Sequence, residues 1–389
     1  MTALDWKCSI FASGMRDFSD IYPYDDAQTR SALERVCRNP LVFVISKYLF
    51  PHEKPGYLRK EMLSAHSTEE FQVNVMRRVV KAVLDRTSDG LEIRGIENLS
   101  GLAHFVLVSN HRDIVMDPAI ILYSMYGAGL PPTDLCVGSN LLSSSLVEDL
   151  MRSNRLVKVY RALPAHEMIE FSRILSSYIR DSVTSGKSCV WIAQREGRAK
   201  DGRDRTSQGI VKLFSMSGSG DFVNDFDELS IVPVSISYEY ESCDALRTRE
   251  LYLKQKNGSY TKKRGEDTRS ILTGIRGRKG RICLSFCKPL SREELQECAA
   301  LRGNERFKRL CGIMDERICG SYRLWKTNYM GCDLMNGTCK YLGTEYSQDE
   351  FDEFKSFCDN QLKKIHGCQD KDGLRKIFYS IYGNPVESI

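Results

Sequence analysis

The sequence predicts an α/β fold: a largely parallel central sheet of about seven strands flanked by helices, with helical N- and C-terminal extensions. Two observations support this. From about Gly90 onward, short apolar runs alternate with amphipathic helical stretches, the pattern of a parallel sheet covered on both faces. Before that point, and again beyond Leu290, the chain reads as helical.

The elements follow in order. Asp25 through Cys37 forms a polar helix. Pro40 to Phe50 is an apolar segment stopped by Pro51. At this length a core helix is expected, with a dip into a membrane interface as the alternative. Ser67-Thr68-Glu69-Glu70 opens the next helix with carboxylates in its first turn, and the helix runs to about Asp85. Strands are expected at 91–94, 104–109, 134–138, 156–160, 188–193, 230–237 and 281–286. Helices are clearest at 165–183 and 207–217, then at 302–318, 347–364 and 372–382. The organisation is a helical region over 1–88, an α/β core over 89–290 and a helical region over 291–389, with the ends packed on or extending the core.

Composition narrows the function classes. A chain of 389 residues, 42% hydrophobic and 28% charged, buries a sizeable core. Met1-Thr2-Ala3-Leu4-Asp5-Trp6-Lys7 has no basic region leading into an apolar stretch, so no secretory signal is expected. No apolar run reaches the roughly 18 to 20 residues that span a bilayer. A cytoplasmic protein is expected. The 14 cysteines include no Cys-x-x-Cys pair and do not bracket histidines at zinc-finger spacing. They are expected as reduced thiols, mostly buried, and no metal site is expected.

The net charge of +5 is modest, but its distribution is uneven. Lys262, Lys263, Arg264, Arg269, Arg276, Arg278, Lys279 and Arg281 face only Glu266 and Asp267 in one short stretch. This is either a solvated loop or an attraction to an anionic partner. A membrane surface rewards such residues with on the order of 1 kcal/mol each. Nucleic acid is not expected, since the run has no interleaved aromatics and matches no binding module.

Four segments carry chemistry. The first, Ser109-Asn110-His111-Arg112-Asp113-Ile114-Val115-Met116-Asp117, follows the strand Phe105-Val106-Leu107-Val108 and precedes an apolar helix with Pro118 at its first position. Open α/β sheets bind ligands at such strand ends. A histidine held by a carboxylate takes a proton from an alcohol near neutral pH, so the stretch points to chemistry on a hydroxyl. The plain alternatives are a surface histidine and an Asp117 that merely caps the helix before Pro118. The second segment, Leu156 to Arg161, ends a strand on an arginine suited to a phosphate or to a surface ion pair. In the third, Trp191-Ile192-Ala193-Gln194-Arg195-Glu196-Gly197-Arg198-Ala199-Lys200-Asp201-Gly202, a strand runs into a charged, glycine-punctuated loop. Gly197 permits close backbone approach there, and Arg198 and Lys200 are candidate phosphate contacts. The fourth, Ile231-Val232-Pro233-Val234-Ser235-Ile236-Ser237-Tyr238-Glu239-Tyr240, is an apolar strand whose end is a candidate lining for an apolar pocket.

Each segment alone is ordinary, but in this order the four resemble the blocks of the glycerolipid acyltransferase superfamily, which includes glycerol-3-phosphate and lysophosphatidic acid acyltransferases. The resemblance covers about Gly90 to Tyr240, with Gly280 to Leu290 similar to that family's later strand. It implies acyl transfer from acyl-CoA or acyl carrier protein, as co-substrate with no other cofactor, to a hydroxyl of a lipid acceptor. It also implies His111 as general base and Asp117 as the carboxylate that positions it. Asn110, Arg112, Arg161, Glu196, Gly197, Arg198 and Lys200 are implied for substrate binding, and Val232-Pro233-Val234 matches the last block. Five residues separate His111 from Asp117, where the family usually has four, so Asp113 is a rival partner. Gln194-Arg195 stands where the family tends to an apolar residue and proline. These departures mark a divergent branch.

The expected partners are an acyl thioester, an anionic acceptor and the inner face of a membrane, on which the protein would sit peripherally. Two other readings stand beside this one. A hydrolase would use the His–Asp pair to serve a serine, but no Gly-x-Ser-x-Gly elbow is present. A non-catalytic, membrane-associated lipid-binding protein would have the same segments without turnover.

Overall fold

A computed structural model of the chain describes residues 17–142 and 144–389. The N-terminal heptapeptide considered for a secretion signal lies outside the described residues. One sheet holds seven strands: β1 (Ser88–Arg94), β2 (Val106–Ser109), β3 (Thr133–Gly138), β4 (Leu156–Val159), β5 (Cys189–Ala193), β6 (Val232–Tyr238) and β7 (Gly280–Phe286). Their order is β1-β7-β6-β2-β5-β3-β4. Only β6 and β7 pair antiparallel; the other neighbours are parallel. The expected fold class is the observed one.

Strand β2 shows why its sequence is continuously apolar rather than alternating. Val106 and Val108 face a layer containing Leu175, Val211 and Met314, from helices Ala165–Thr184, Gln208–Ser215 and Asn304–Gly320. Leu107 faces the opposite layer, with Ile120 and Ile121 of helix Met116–Gly127. Both faces are buried, so Val106, Leu107 and Val108 are apolar, and each such side chain contributes roughly 1.5–3 kcal/mol. Because β2 lies between β5 and β6, its C-terminal end emerges mid-sheet, beside the loop after β5 and the end of β6.

The helical ends begin where capping chemistry places them. Asp25 and Gln28 form a capping box on helix Asp26–Cys37, and the Ser67 side chain accepts from the backbone N–H of Glu70. The apolar segment after Pro40 departs from the expected core helix. In helix Leu41–Leu49 only Val42, Ser46 and Leu49 are buried, while Leu41, Phe43, Val44, Ile45 and Tyr48 are exposed, Val44 to 58%. Apolar side chains stand on both faces, and the polar Ser46 is on the buried one, so the pattern did not show which face would be covered.

The basic stretch is not a loop either. It holds helix Glu266–Arg276 and, with helix Asp244–Asn257, fills the connection from β6 to β7. Several of its cations are committed inside the fold. Lys262 pairs with Asp267 at 2.5 Å and Arg281 with Glu239 at 2.9 Å. The buried Lys279 ammonium donates to the carbonyls of Gly274 and Gly277 at 2.8 and 2.9 Å, closing the helix's C-terminal end. Among the described residues there is no disulfide, and most cysteines are buried.

The last helix, Lys371–Ser388, packs against Lys326–Asn336 and Asp244–Asn257. Its Tyr382 hydroxyl accepts from the Glu241 N–H at 3.1 Å and donates to the Asp244 carboxylate at 2.9 Å. Burial pushes the Asp244 carboxyl up from 3.8 to about 7. Between those limits the folded chain holds a proton that the unfolded chain has lost. Stability from this group therefore falls as pH rises from about 4 to about 7. Asp244→Asn, neutral and isosteric, is expected to gain thermal stability relative to the parent as pH rises from about 5 to about 8. A melting-temperature difference that stays constant over that range contradicts the assignment.

Candidate active site

The loop leaving β2 turns His111 back toward the first turn of helix Met116–Gly127. Its Nδ1 lies 2.9 Å from Asp117 Oδ2. The same oxygen accepts from the backbone N–H groups of Arg112 and Asp113 at 2.6 and 2.9 Å, and Oδ1 accepts from the Tyr238 hydroxyl at 2.7 Å. A carboxylate only accepts, so Nδ1 carries the hydrogen and Nε2 keeps its lone pair. Nε2 has no protein partner among the described residues. The His111 side chain is 12% exposed, and its ring meets Trp191 edge-on at 6.0 Å. Trp191 is itself fixed by donating to Ser109 Oγ at 2.9 Å.

The two aspartates have different tasks. Asp117 is not the N-cap, since the helix already begins at Met116. Asp113 does the capping instead: its Oδ1 accepts from the N–H groups of Val115 and Met116 at 3.0 and 2.9 Å. The fifth intervening residue is thus absorbed in a tight turn, and Asp117, not Asp113, reaches the imidazole.

Asn110 and Arg112, expected to bind substrate, are turned inward. The Asn110 amide continues the sheet pairing, accepting from Ile236 N at 2.8 Å and donating to Ile236 O at 3.0 Å. Arg112 is 1% exposed and reaches Asp204 at 2.6 Å, Glu241 at 3.3 Å and the carbonyl of Gly202 at 3.1 Å. Arg247 closes the cluster, bonding Glu241 at 2.7 Å and the carbonyl of Arg112. Two buried guanidinium groups thus face two buried carboxylates, a balance in which every member needs its partners.

The remaining expected residues lie on the neighbouring strand ends. Arg161, after β4, is half-buried and 3.6 Å from the exposed Glu196. It crosses so close to Gly138 that a Cβ there would stand 2.6 Å from its Nε. Gly197 takes a left-handed backbone at φ 71°, which turns the chain into Arg198. Arg198 is buried beside the Cys243 thiol with its Nη1 unpartnered, and the next N–H, of Ala199, donates to the His111 carbonyl at 3.0 Å. Lys200 is not grouped with them; its ammonium pairs with Glu250.

Sequence reading missed Tyr238, Asp204, Glu241 and Arg247. Only Tyr238 left a signal, as a polar-tipped side chain ending an otherwise apolar strand. Among the described residues no group of three or more His, Cys, Asp and Glu is placed to hold a metal ion. No helix there is long and apolar enough to cross a membrane.

Comparison with known proteins bears on residues 90–237, which match the family model described as Acyltransferase. No curated protein matches the sequence. Among solved structures, the 1-acyl-sn-glycerophosphate (LPA) acyltransferase PlsC from Thermotoga maritima aligns at 13% identity and a TM-score of 0.38, covering 75% of this chain and 92% of that one. That likeness is too distant to bear on individual residues. The family match encloses the His111–Asp117 pair and the strand ends that carry Arg161, Glu196 and Val232-Pro233-Val234, so residues 90–237 are similar to an Acyltransferase domain.

Proposed function

We propose that the chain moves a fatty acyl group from a thioester, on coenzyme A or acyl carrier protein, to a hydroxyl of glycerol-3-phosphate, a lysophospholipid or a related lipid. The observation that carries this is the His111 Nδ1–Asp117 contact of 2.9 Å, which leaves Nε2 free at a half-open strand end. In the reaction Nε2 takes the acceptor's hydroxyl proton as the oxygen attacks the thioester carbonyl. The carbon–sulfur bond then breaks, and the proton passes to the departing thiolate. Arg161 and the unpartnered Nη1 of Arg198 are suited to the acceptor's phosphate, with Glu196 and Gly197 shaping the same loop. Asp113 and Tyr238 act through Asp117 rather than on substrate.

The exposed face of helix Leu41–Leu49 supports docking on a membrane, where such acceptors reside. Lys47 lies on that helix, and Arg86 and Arg276 both stack on the Tyr48 ring, at 5.2 and 5.6 Å. An apolar face ringed by cations suits an anionic bilayer.

His111→Ala is expected to cut acyl transfer by about 10²–10⁴-fold with the fold intact, read as thioester consumed only when acceptor is present. Turnover at the parent rate would end the proposal. Asp117→Asn should lose most of that activity. Asp113→Asn, which weakens only a helix cap, should cost far less, and a reversed ranking contradicts this division of roles. In co-sedimentation with vesicles of phosphatidylglycerol and phosphatidylcholine, Phe43→Glu combined with Val44→Glu is expected to lower binding at least about tenfold. Equal pelleting of parent and variant rules out this docking face.

A further inference from the structure

Gly274 stands in the last turn of helix Glu266–Arg276, in ordinary helical backbone rather than at a positive φ. Glycine is the poorest helix former after proline, and nothing in the backbone here needs its freedom. Space explains it instead. A Cβ at this position would stand 2.2 Å from Asp113 Oδ2 and 3.0 Å from its Cγ. To reach an ordinary contact of 3.4 Å, the carboxylate would have to retreat by roughly 1 Å.

Both partners are held in place. The helix is fixed at its end, where the buried Lys279 ammonium donates to the carbonyls of Gly274 and Gly277 at 2.8 and 2.9 Å and to Thr87 Oγ1 at 3.1 Å. In its middle the Ser270 carbonyl accepts from the Cys243 thiol at 3.4 Å, and at its start Asp267 accepts from the Asn140 amide at 3.3 Å. On the other side, Asp113 Oδ1 is pinned by the N–H groups of Val115 and Met116. The Asp113 backbone N–H donates in turn to Asp117 Oδ2, the oxygen that also holds His111 Nδ1. A displaced Asp113 therefore carries with it a donor to the carboxylate that aims the imidazole.

We propose that Gly274 is a positioning residue: its bare Cα is the stop against which Asp113 rests, and helix Glu266–Arg276 thereby sets how Asp117 meets His111. The helix belongs to the connection from β6 to β7, outside the four segments that carry the chemistry. The aim of the histidine is thus fixed from a separate part of the chain. What Gly274 does for turnover rests on the acyl-transfer reading; what it does to the His111 ring does not.

Gly274→Ala, Asp113→Ser and the two combined, each in the full-length protein, provide the test. Alanine favours a helix over glycine, so a purely local effect of Gly274→Ala would leave turnover unchanged. Acting through Asp113, it is instead expected to lower kcat about 10²-fold, the scale of a 1 Å misalignment, with KM nearly unchanged. Asp113→Ser keeps a competent cap on a shorter side chain and should cost far less. Added to Gly274→Ala, it should raise kcat at least about tenfold over that variant alone. Leu272→Ala, two residues earlier and so on the opposite side of the helix, should turn over as the parent does. Nitrogen-15 spectra of the His111 ring give a readout without turnover: signals displaced in Gly274→Ala and returned in the double variant. Parent-like kcat and spectrum in Gly274→Ala would overturn the proposal. So would a loss that Asp113→Ser does not relieve, or an equal loss in Leu272→Ala. If Gly274→Ala does not fold, the double variant must still fold and turn over, and its failure counts equally against the proposal. A parent inactive on every thioester, with the His111 signals moving as expected, would refute acyl transfer and leave the positioning role standing.

Discussion

Asp117 exposes no surface to solvent, yet four donors converge on its carboxylate: the His111 ring, two backbone N–H groups and the Tyr238 hydroxyl. A buried charge is tolerated only when it is satisfied in this way, because leaving it unpaired costs several kcal/mol. Satisfying it fixes the loop after β2, the tautomer of the imidazole and the direction of its free nitrogen together. The donors come from two sides of the sheet's centre, so β2, β6 and the start of helix Met116–Gly127 must all be in place before the histidine is aimed.

The same loop is held from behind by residues far away in sequence. Arg112 follows the histidine directly, and its guanidinium is buried against Asp204 and Glu241, with the Tyr322 ring 5.1 Å away. Tyr382, on the last helix, bonds the backbone of Glu241 and the side chain of Asp244. The helical end of the chain is thereby wired to the His111 loop. The connection between β6 and β7 packs on the same loop through Gly274. Few of these contacts leave slack for the loop to relax without disturbing its neighbours.

Most of the sheet was legible because buried strands must be apolar and short; β1 is a largely exposed edge strand, Ser88–Arg94, with only Leu91 and Ile93 as apolar side chains. The histidine and its partner were legible because a strand end followed by a helix start is where such residues can act. What escaped was set by tertiary contacts. Choosing between Asp113 and Asp117 depended on which one the helix would consume as its cap, and spacing alone could not decide that. Arg112 looked like a substrate contact because its buried partners, Asp204 and Glu241, lie 92 and 129 residues away. Helix Leu41–Leu49 has apolar side chains on both its buried and its exposed face, so the exposed one became visible only once its neighbours covered the other. The helix inside the basic run was hidden by its own charge, which resembles a solvated loop until Lys279 is seen closing its end.

The central claim is that Asp117 holds His111 with its proton on Nδ1 and its lone pair on Nε2. Nitrogen-15 spectra of the protein with labelled histidine read this directly, since protonated and bare ring nitrogens resonate far apart. A neutral His111 with Nδ1 protonated and Nε2 bare, shifting toward the opposite tautomer or to a mixture in Asp117→Asn, is the predicted result. A parent spectrum with the proton on Nε2 would contradict the account.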